Sequence, residues 1–577
     1  MKDPQTKYEA LEPSCISVDC RIMAAATSED VLDVLIIGAG LSGICSLYHV
    51  KHRFSSWRVL ALESGSDVGG TWYWNRYPGC RFDSESVSYC FSFDKELLAE
   101  WHWKETFSSQ PETYKYIRHF ARKHGLYDYI RFNITVKAAQ WNDEARHWIV
   151  TDETGNQLRT RFLVSCLGFL SSPTLPAIPG IDRFQGQYFH TSRWPASLNV
   201  DHDFADRRIG IIGTGATGIQ TTTALSKVPN ILSLTVFQRT ANWAAPLWNT
   251  EISEDQMARY REQYGDIFKR CSETWSCFLH DADPRKSVEV SQEERIALWE
   301  RVYHEPGFSK WLGVFSDTYT DREANALYTT WMEGKIRDRV QDPTVANSLI
   351  PDHGFGLRRV PLESGYFEAF NKPHVHLVDL KSRPIREIST HGIITSDGAL
   401  HEIDVLICAT GFNAITGAFS AIEWECRGGR PLTRRAGTDI NQEEVWADDR
   451  PKTYLGIAAP STPNMLMVLG PHQPYGNATR SIEHVVEVIC DMLEYCKDNH
   501  YTYFEATEEA ARDWTNHVID AGSRGLLNEV DSWMTGVNKN VEGKTVRNIA
   551  RYAGSATEFR RRCEESKAEN YKGFRFV

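Results

Sequence analysis

Val34-Leu35-Ile36-Ile37-Gly38-Ala39-Gly40-Leu41-Ser42-Gly43 is an apolar run of strand length that delivers the chain straight into a glycine-rich loop. Leu41 to Val50 reads as the helix that follows. In this strand, loop and helix setting the three glycines have separate tasks. Gly38 permits the tight turn, Gly40 lets backbone approach a pyrophosphate, and Gly43 packs the helix against the strand. The helix N-terminus then offers free amides and a positive dipole end to the phosphates. A second apolar run, Val59 to Leu62, ends in Glu63, 20 residues after Gly43. A carboxylate there accepts hydrogen bonds from ribose hydroxyls, so the loop calls for FAD or NAD.

The pattern recurs further along. Ile209 to Ile212 repeats the strand, Gly213-Thr214-Gly215-Ala216-Thr217-Gly218 repeats the loop with Gly213, Gly215 and Gly218, and Thr235-Val236-Phe237 supplies the next strand. Here Arg239 and Thr240 stand where the first site has its acid. A guanidinium offers charge and a fork of donors to a 2′-phosphate that a carboxylate would repel. The pair of loops therefore predicts FAD first and NADPH second, in an α/β chain with two Rossmann-like domains.

At 577 residues, with 41% apolar and 24% charged residues, the chain is long enough for two or three folded domains. A net charge of −12 argues against nucleic acid and anionic membranes as partners. No apolar stretch reaches membrane-spanning length, and the first 30 residues lack an apolar signal core, which predicts a cytoplasmic enzyme with a loose tail over residues 1–30. The 13 cysteines never fall as Cys-x-x-Cys, which weakens a disulfide scaffold, a metal site and a dithiol reductase together.

Between the loops, Phe184-x-Gly186-x-x-x-His190-x-x-x-Trp194-Pro195 resembles the short fingerprint of the class B flavoprotein monooxygenases, and its Trp-Pro ending that of the Baeyer–Villiger monooxygenases. Gly69-Gly70-Thr71-Trp72, then Tyr77-Pro78-Gly79 and Asp83, resembles the family's second fingerprint. The likeness runs from about Asp33 to Lys544. It implies that Gly70, Thr71, Trp72 and Tyr77 contact cofactor, and that Phe184, Gly186, His190 and Trp194 act as linker or gating residues between domains. Trp533, in Ser532-Trp533-Met534-Thr535-Gly536, is implied to contact the nicotinamide from a mobile loop.

Gly356-Leu357-Arg358-Arg359-Val360-Pro361 is similar to the motif that carries the family's catalytic arginine, which falls on Arg359 here, with Asp83 holding it. Arg358 stands where relatives have a lysine near the 2′-phosphate, so charge is kept and geometry changes. A fixed cation in a dry site stabilises negative oxygen developing on a ketone, and arginine is protonated at any working pH. The resemblance thus implies oxygen insertion beside a ketone carbonyl with NADPH and O2, giving an ester or lactone. Gly470 to Asn477 resembles the branch that takes bulky cyclic ketones. N-hydroxylation or sulfoxidation is the alternative within the same chemistry.

The motif order predicts a flavin domain from residues 31–165 and 404–577, around a nucleotide domain from 166–246 and 346–403. Residues 247–345 lack strand alternation and read as a helical insertion. On this reading Asp404-Val405-Leu406-Ile407-Cys408 returns the chain to the flavin domain.

Overall fold

The computed structural model describes residues 31–433, 443–541 and 544–577. The tail expected over residues 1–30 lies outside them. Two parallel sheets carry the two glycine loops. The first begins with β1 (Val31–Ile37), β2 (Val59–Leu62), β3 (Ile130–Arg131), β4 (Val136–Asn142), β5 (His147–Asp152) and β6 (Gln157–Ser165). β1 lies between β2 and β6, parallel to both. β4 and β5 are an antiparallel extension beside β6. Valine, leucine and isoleucine fill β1 and β2 because strands covered on both faces have no polar side.

The second sheet is built from β7 (Gln187–His190), β8 (Arg208–Ile212), β9 (Ser233–Gln238), and, after the short pair β10 (Ala245–Pro246) and β11 (Leu362–Glu363), from β12 (Val375–Asp379). A small antiparallel meander, β13 (Ile385–Ser389), β14 (Gly392–Thr395) and β15 (Leu400–Glu402), leads into β16 (Val405–Cys408). The strand order is β12-β9-β8-β16-β7, every neighbour parallel.

This order corrects two expectations. Val405–Cys408 does not return to the first sheet but sits between β8 and β7 in the second. The chain rejoins the first sheet only at β17 (Glu423–Glu425), beside β4, and β18 (Met465–Met467), beside β6. A short, wholly apolar run suits any buried parallel strand, so its composition does not reveal its sheet. The fingerprint segment is likewise no free linker, since Gln187–His190 is the edge strand of the second sheet.

Residues 247–345 are helical, with helices Glu254–Glu273, Gln292–His304 and Arg322–Arg339. Ser253 with Gln256 and Ser291 with Glu294 close capping boxes at the first two N-termini. The helix Leu41–Arg53 packs on the long helix Ala478–Asp498, which covers the first sheet from the C-terminal part of the chain. Among the described residues no helix is long and apolar enough to cross a membrane.

Candidate active site

Both glycine loops sit at the carboxyl ends of their parallel strands, where open α/β sheets bind ligands. They are built alike. Gly38 and Gly213 have φ of +103° and +110°, and a Cβ there would lie 2.5 Å from Cys166 O and 2.4 Å from Ala409 O. A Cβ on Gly43 or Gly218 would meet the carbonyl oxygen of Gly38 or Gly213. Gly40 and Gly215 stand at the N-caps of helices Leu41–Arg53 and Ala216–Leu225. From sequence Cys166 reads only as a small buried hydrophobe, and the part its carbonyl and that of Ala409 play against the glycine loops is not apparent. The signal was present in the repeat Ser165-Cys166-Leu167-Gly168 and Cys408-Ala409-Thr410-Gly411, each closing a strand and ending in a glycine of positive φ.

The first loop faces a second glycine turn. A Cβ on Gly70 would come within 2.8 Å of Gly40 Cα, so the two backbones form a cradle that only glycine leaves open. Glu63 is buried; its Oε2 accepts from the Ala39 amide at 2.8 Å and its Oε1 from the Gly65 amide at 2.7 Å. Thr71 opens a short helix and is exposed, whereas Trp72 is buried edge-on to Phe82. The Tyr77 hydroxyl donates to Gln220 Oε1 at 2.7 Å, and Gln220 Nε2 donates to Arg81 O at 3.1 Å. Gln220, on the second loop's helix, thus ties the two nucleotide folds together, a role that sequence reading did not find.

At the second loop Arg239 is exposed, and its Nη1 donates to Asn540 Oδ1 at 3.3 Å. Arg358 stands close enough for the two guanidiniums to repel. Burial lowers the Arg358 pKa; Asp352 and Asp531 offset this and Arg239 adds to it. Arg358 Nε is buried with no hydrogen-bond partner. Two like charges and an unspent donor form a seat for an anion. The Thr240 carbonyl closes the turn by accepting from Thr214 Oγ1 at 2.7 Å.

Asp83 and Arg359, 276 residues apart in sequence, meet at 2.7 Å between Oδ2 and Nη2. The Asp83 side chain is fully buried and that of Arg359 is 33% exposed. The Leu362 amide also donates to Asp83 Oδ2, at 3.3 Å. Burial pushes the Asp83 carboxyl above the ordinary carboxylate range, while Arg359 and Leu362 pull it back. Arg359 Nη1 is buried and has no protein partner, so part of the guanidinium remains available.

His190 ends β7. Its Nδ1 accepts from the Ser192 amide at 3.1 Å, which leaves the proton on Nε2 to be donated to Gly411 O at 3.0 Å. Burial lowers its pKa to about 4. Nδ1 also lies 2.9 Å from Ser192 Oγ, so both ring nitrogens are engaged and the ring ties the end of β7 to the Gly411 turn. Phe184 is buried in the apolar cluster behind the second sheet, and a Cβ on Gly186 would strike both Phe184 and Asp404 O. Trp194 is buried edge-on to Phe189. Trp533 lies in the turn Trp533–Thr535 and stacks on Phe169 at 6.3 Å, and Phe169 stacks on Tyr475 at 4.6 Å.

Residues 32–255 match the flavin-binding monooxygenase-like family. The chain is 36% identical to cyclohexanone 1,2-monooxygenase of an Acinetobacter species, over 94% of this chain and 96% of that one. It is 35% identical to phenazine N-monooxygenase PhzNO1 of Lysobacter antibioticus, again over 94% and 96%. The solved complex of OTEMO with FAD and NADP superposes with a TM-score of 0.88 at 39% identity, covering 95% of this chain and 99% of that one. The chain belongs to the Baeyer–Villiger monooxygenases.

In this monooxygenase the fingerprints have a physical reading. The Gly69–Asp83 fingerprint sets the Gly70 turn against Gly40 and delivers Asp83 into the interior; the Phe184–Trp194 fingerprint is the edge strand and turn that pin Gly411 through His190. The helical insertion holds the Asp83 loop from the other side. His280 Nε2 pairs with Glu85 Oε1 at 2.6 Å, and Asn249 Oδ1 accepts from the Phe107 amide at 2.9 Å. No short motif marks Glu85, His280 or Asn249, because their contacts span the chain.

Proposed function

We propose that this monooxygenase uses NADPH and O2 to insert one oxygen atom beside the carbonyl of a bulky cyclic ketone, giving a lactone. The pairing of half-buried Arg359 with fully buried Asp83, which leaves one guanidinium nitrogen unspent, is the observation that carries the reading. The Gly40–Gly70 cradle and Glu63 fit FAD, and Arg239 with Arg358 fits the 2′-phosphate of NADPH. FAD supplies the oxygen activation and NADPH the hydride.

The chain's own residues supply position and field. Asp83, fully buried, holds one nitrogen of Arg359 and fixes the direction of the guanidinium. Arg359 then presents a permanent positive charge, with a free N–H, where negative charge develops on oxygen; a preorganised donor of this kind is worth about 3 kcal/mol in a dry site. Trp533 is the candidate contact to the nicotinamide, and its stacking on Phe169, itself stacked on Tyr475, keeps it within an aromatic cluster. Among the described residues the cysteines are buried and unpaired, which suits a reducing compartment, and we propose the cytoplasm.

The test is product analysis with FAD-loaded enzyme, NADPH and air, offered a fused-ring ketone, a thioether and a heteroaromatic amine. Lactone as the main product supports the reading. Sulfoxide or N-oxide with no lactone overturns it.

A further inference from the structure

Ser309 and Lys310, neighbours at the start of the short helix Ser309–Leu312 in the insertion, are buried at 1% and 0% exposure. Each reaches toward a different member of the Arg359–Asp83 pair. On one side Ser309 Oγ lies 2.9 Å from His280 Nδ1, and His280 Nε2 lies 2.6 Å from Oε1 of Glu85, two residues beyond Asp83. Gly307 adds to this hold. At φ +70° its backbone lies so near Glu85 that a Cβ would come 2.5 Å from Oε1.

On the other side Lys310 Nζ donates to Pro246 O at 2.7 Å and to Glu305 O. Pro246 belongs to β10, which pairs with β11, and β11 begins at Leu362, three residues beyond Arg359. The Gly307 amide donates to Leu247 O at 3.1 Å and the Leu247 amide to Glu363 O at 2.8 Å, so the same turn grips the end of both short strands. The Leu362 amide is itself the second donor to Asp83 Oδ2. The contacts therefore close into a ring: from Asp83 to Leu362, across β11 and β10 to Lys310 and Ser309, and through His280 and Glu85 back along the chain to Asp83.

Side chains held from two directions by packing and hydrogen bonds keep their aim, and a closed ring supplies both directions at once. Lys310 is a costly member of it. Its amine is withdrawn from water and both its partners are neutral carbonyls. Burial lowers its pKa to about 7, and Glu305, Glu85 and Glu363 offset this only in part. A methionine would fill the space with no buried charge. What the lysine adds is a directed bond from the insertion to the strand pair that follows Arg359.

We propose that Ser309 and Lys310 are positioning residues for the oxygen insertion, holding Asp83 and the strand that leaves Arg359 in one fixed relation so that the guanidinium stays aimed. The proposal rests on the Baeyer–Villiger reading for the chemistry and on the ring of contacts for the positioning.

Its test counts lactone and hydrogen peroxide per NADPH consumed, with a cyclic ketone and FAD-loaded enzyme, in the wild type, Lys310→Met and Ser309→Ala. Lactone per NADPH should fall about 10-fold in Lys310→Met and about 3-fold in Ser309→Ala, with hydrogen peroxide making up the difference, as a small misplacement of the guanidinium requires. Flavin content and the anaerobic rate of flavin reduction by NADPH should stay within about 2-fold of the wild type, which a general loss of structure would not allow. In an Arg359→Met background, adding Lys310→Met should lower lactone by less than about 2-fold, because a residue that acts through Arg359 then has nothing to aim. Wild-type lactone yield in both variants, or an undiminished further loss in the Arg359→Met background, overturns the proposal. If Lys310→Met fails to fold, Ser309→Ala and its double variant with Arg359→Met decide by the same criteria. If the wild type gives sulfoxide or N-oxide and no lactone, the reaction reading fails by itself, and the same ratios counted on that product decide the positioning.

Discussion

Arg359 Nη2 donates to Asp83 Oδ2 at 2.7 Å while Arg359 Nη1 stays buried without a protein partner. One carboxylate thus holds half of a guanidinium and leaves the other half for chemistry. Removing the carboxylate leaves an uncompensated cation in a partly buried place. Asp83→Ala is expected to lose about 3 kcal/mol of stability by chemical denaturation, and its lactone formation should fall with it. Wild-type stability in Asp83→Ala would show that the pair does not hold the site together.

Glu63 uses both carboxylate oxygens on backbone amides of its own fold and stands at the end of β2, the position proposed for the ribose contact. In Glu63→Ala two buried amides lose their acceptor, at about 1 to 3 kcal/mol each, and the purified protein should carry less than half of the wild-type FAD. Flavin absorbance per protein reads this directly. Full flavin loading would remove Glu63 from the cofactor site.

Arg239 repels Arg358, which Asp352 and Asp531 only partly offset, so a phosphate bound between the two guanidiniums would relieve that repulsion. Arg239→Ala should lower the ratio of kcat/KM for NADPH over NADH by about 10- to 100-fold, mostly through KM for NADPH. An unchanged ratio would place the 2′-phosphate elsewhere.

His190 and His472 are both buried, and burial lowers each pKa from 6.5 to about 4. Between those values the unfolded chain binds a proton that the folded one refuses. Their contribution is therefore complete above pH 6.5 and is lost as pH falls toward 4, at about 1.4 kcal/mol per pH unit for each ring. Tm should drop across that window, and His472→Gln should flatten the slope. A Tm constant from pH 6.5 to 4.5 would contradict the neutral, buried assignment.

Local chemistry was legible in the sequence, and long-range chemistry was not. Gly38, Gly40 and Gly43, with Glu63 at the end of the next strand, announce their fold because the tight turn, the helix N-cap and the acid all lie within one β-α-β unit. The same local logic is what proposes Arg239 for the second nucleotide. Val405–Cys408 went to the wrong sheet because four apolar residues carry no record of which neighbours they pair with. Gln220, which joins Tyr77 to Arg81, depends on packing between distant segments, and no motif marks it for that role. Arg359 was found only through its motif; nothing in its spacing points to Asp83.

The central claim is that Arg359 turns oxygen activation into attack on a ketone. It is tested most directly by counting lactone formed per NADPH consumed in the wild type and in Arg359→Met, with hydrogen peroxide measured in parallel. The account predicts about one lactone per NADPH in the wild type. In Arg359→Met, NADPH and O2 consumption should continue and yield hydrogen peroxide, with lactone lower by about 100-fold or more. Lactone yield from Arg359→Met close to that of the wild type would contradict it.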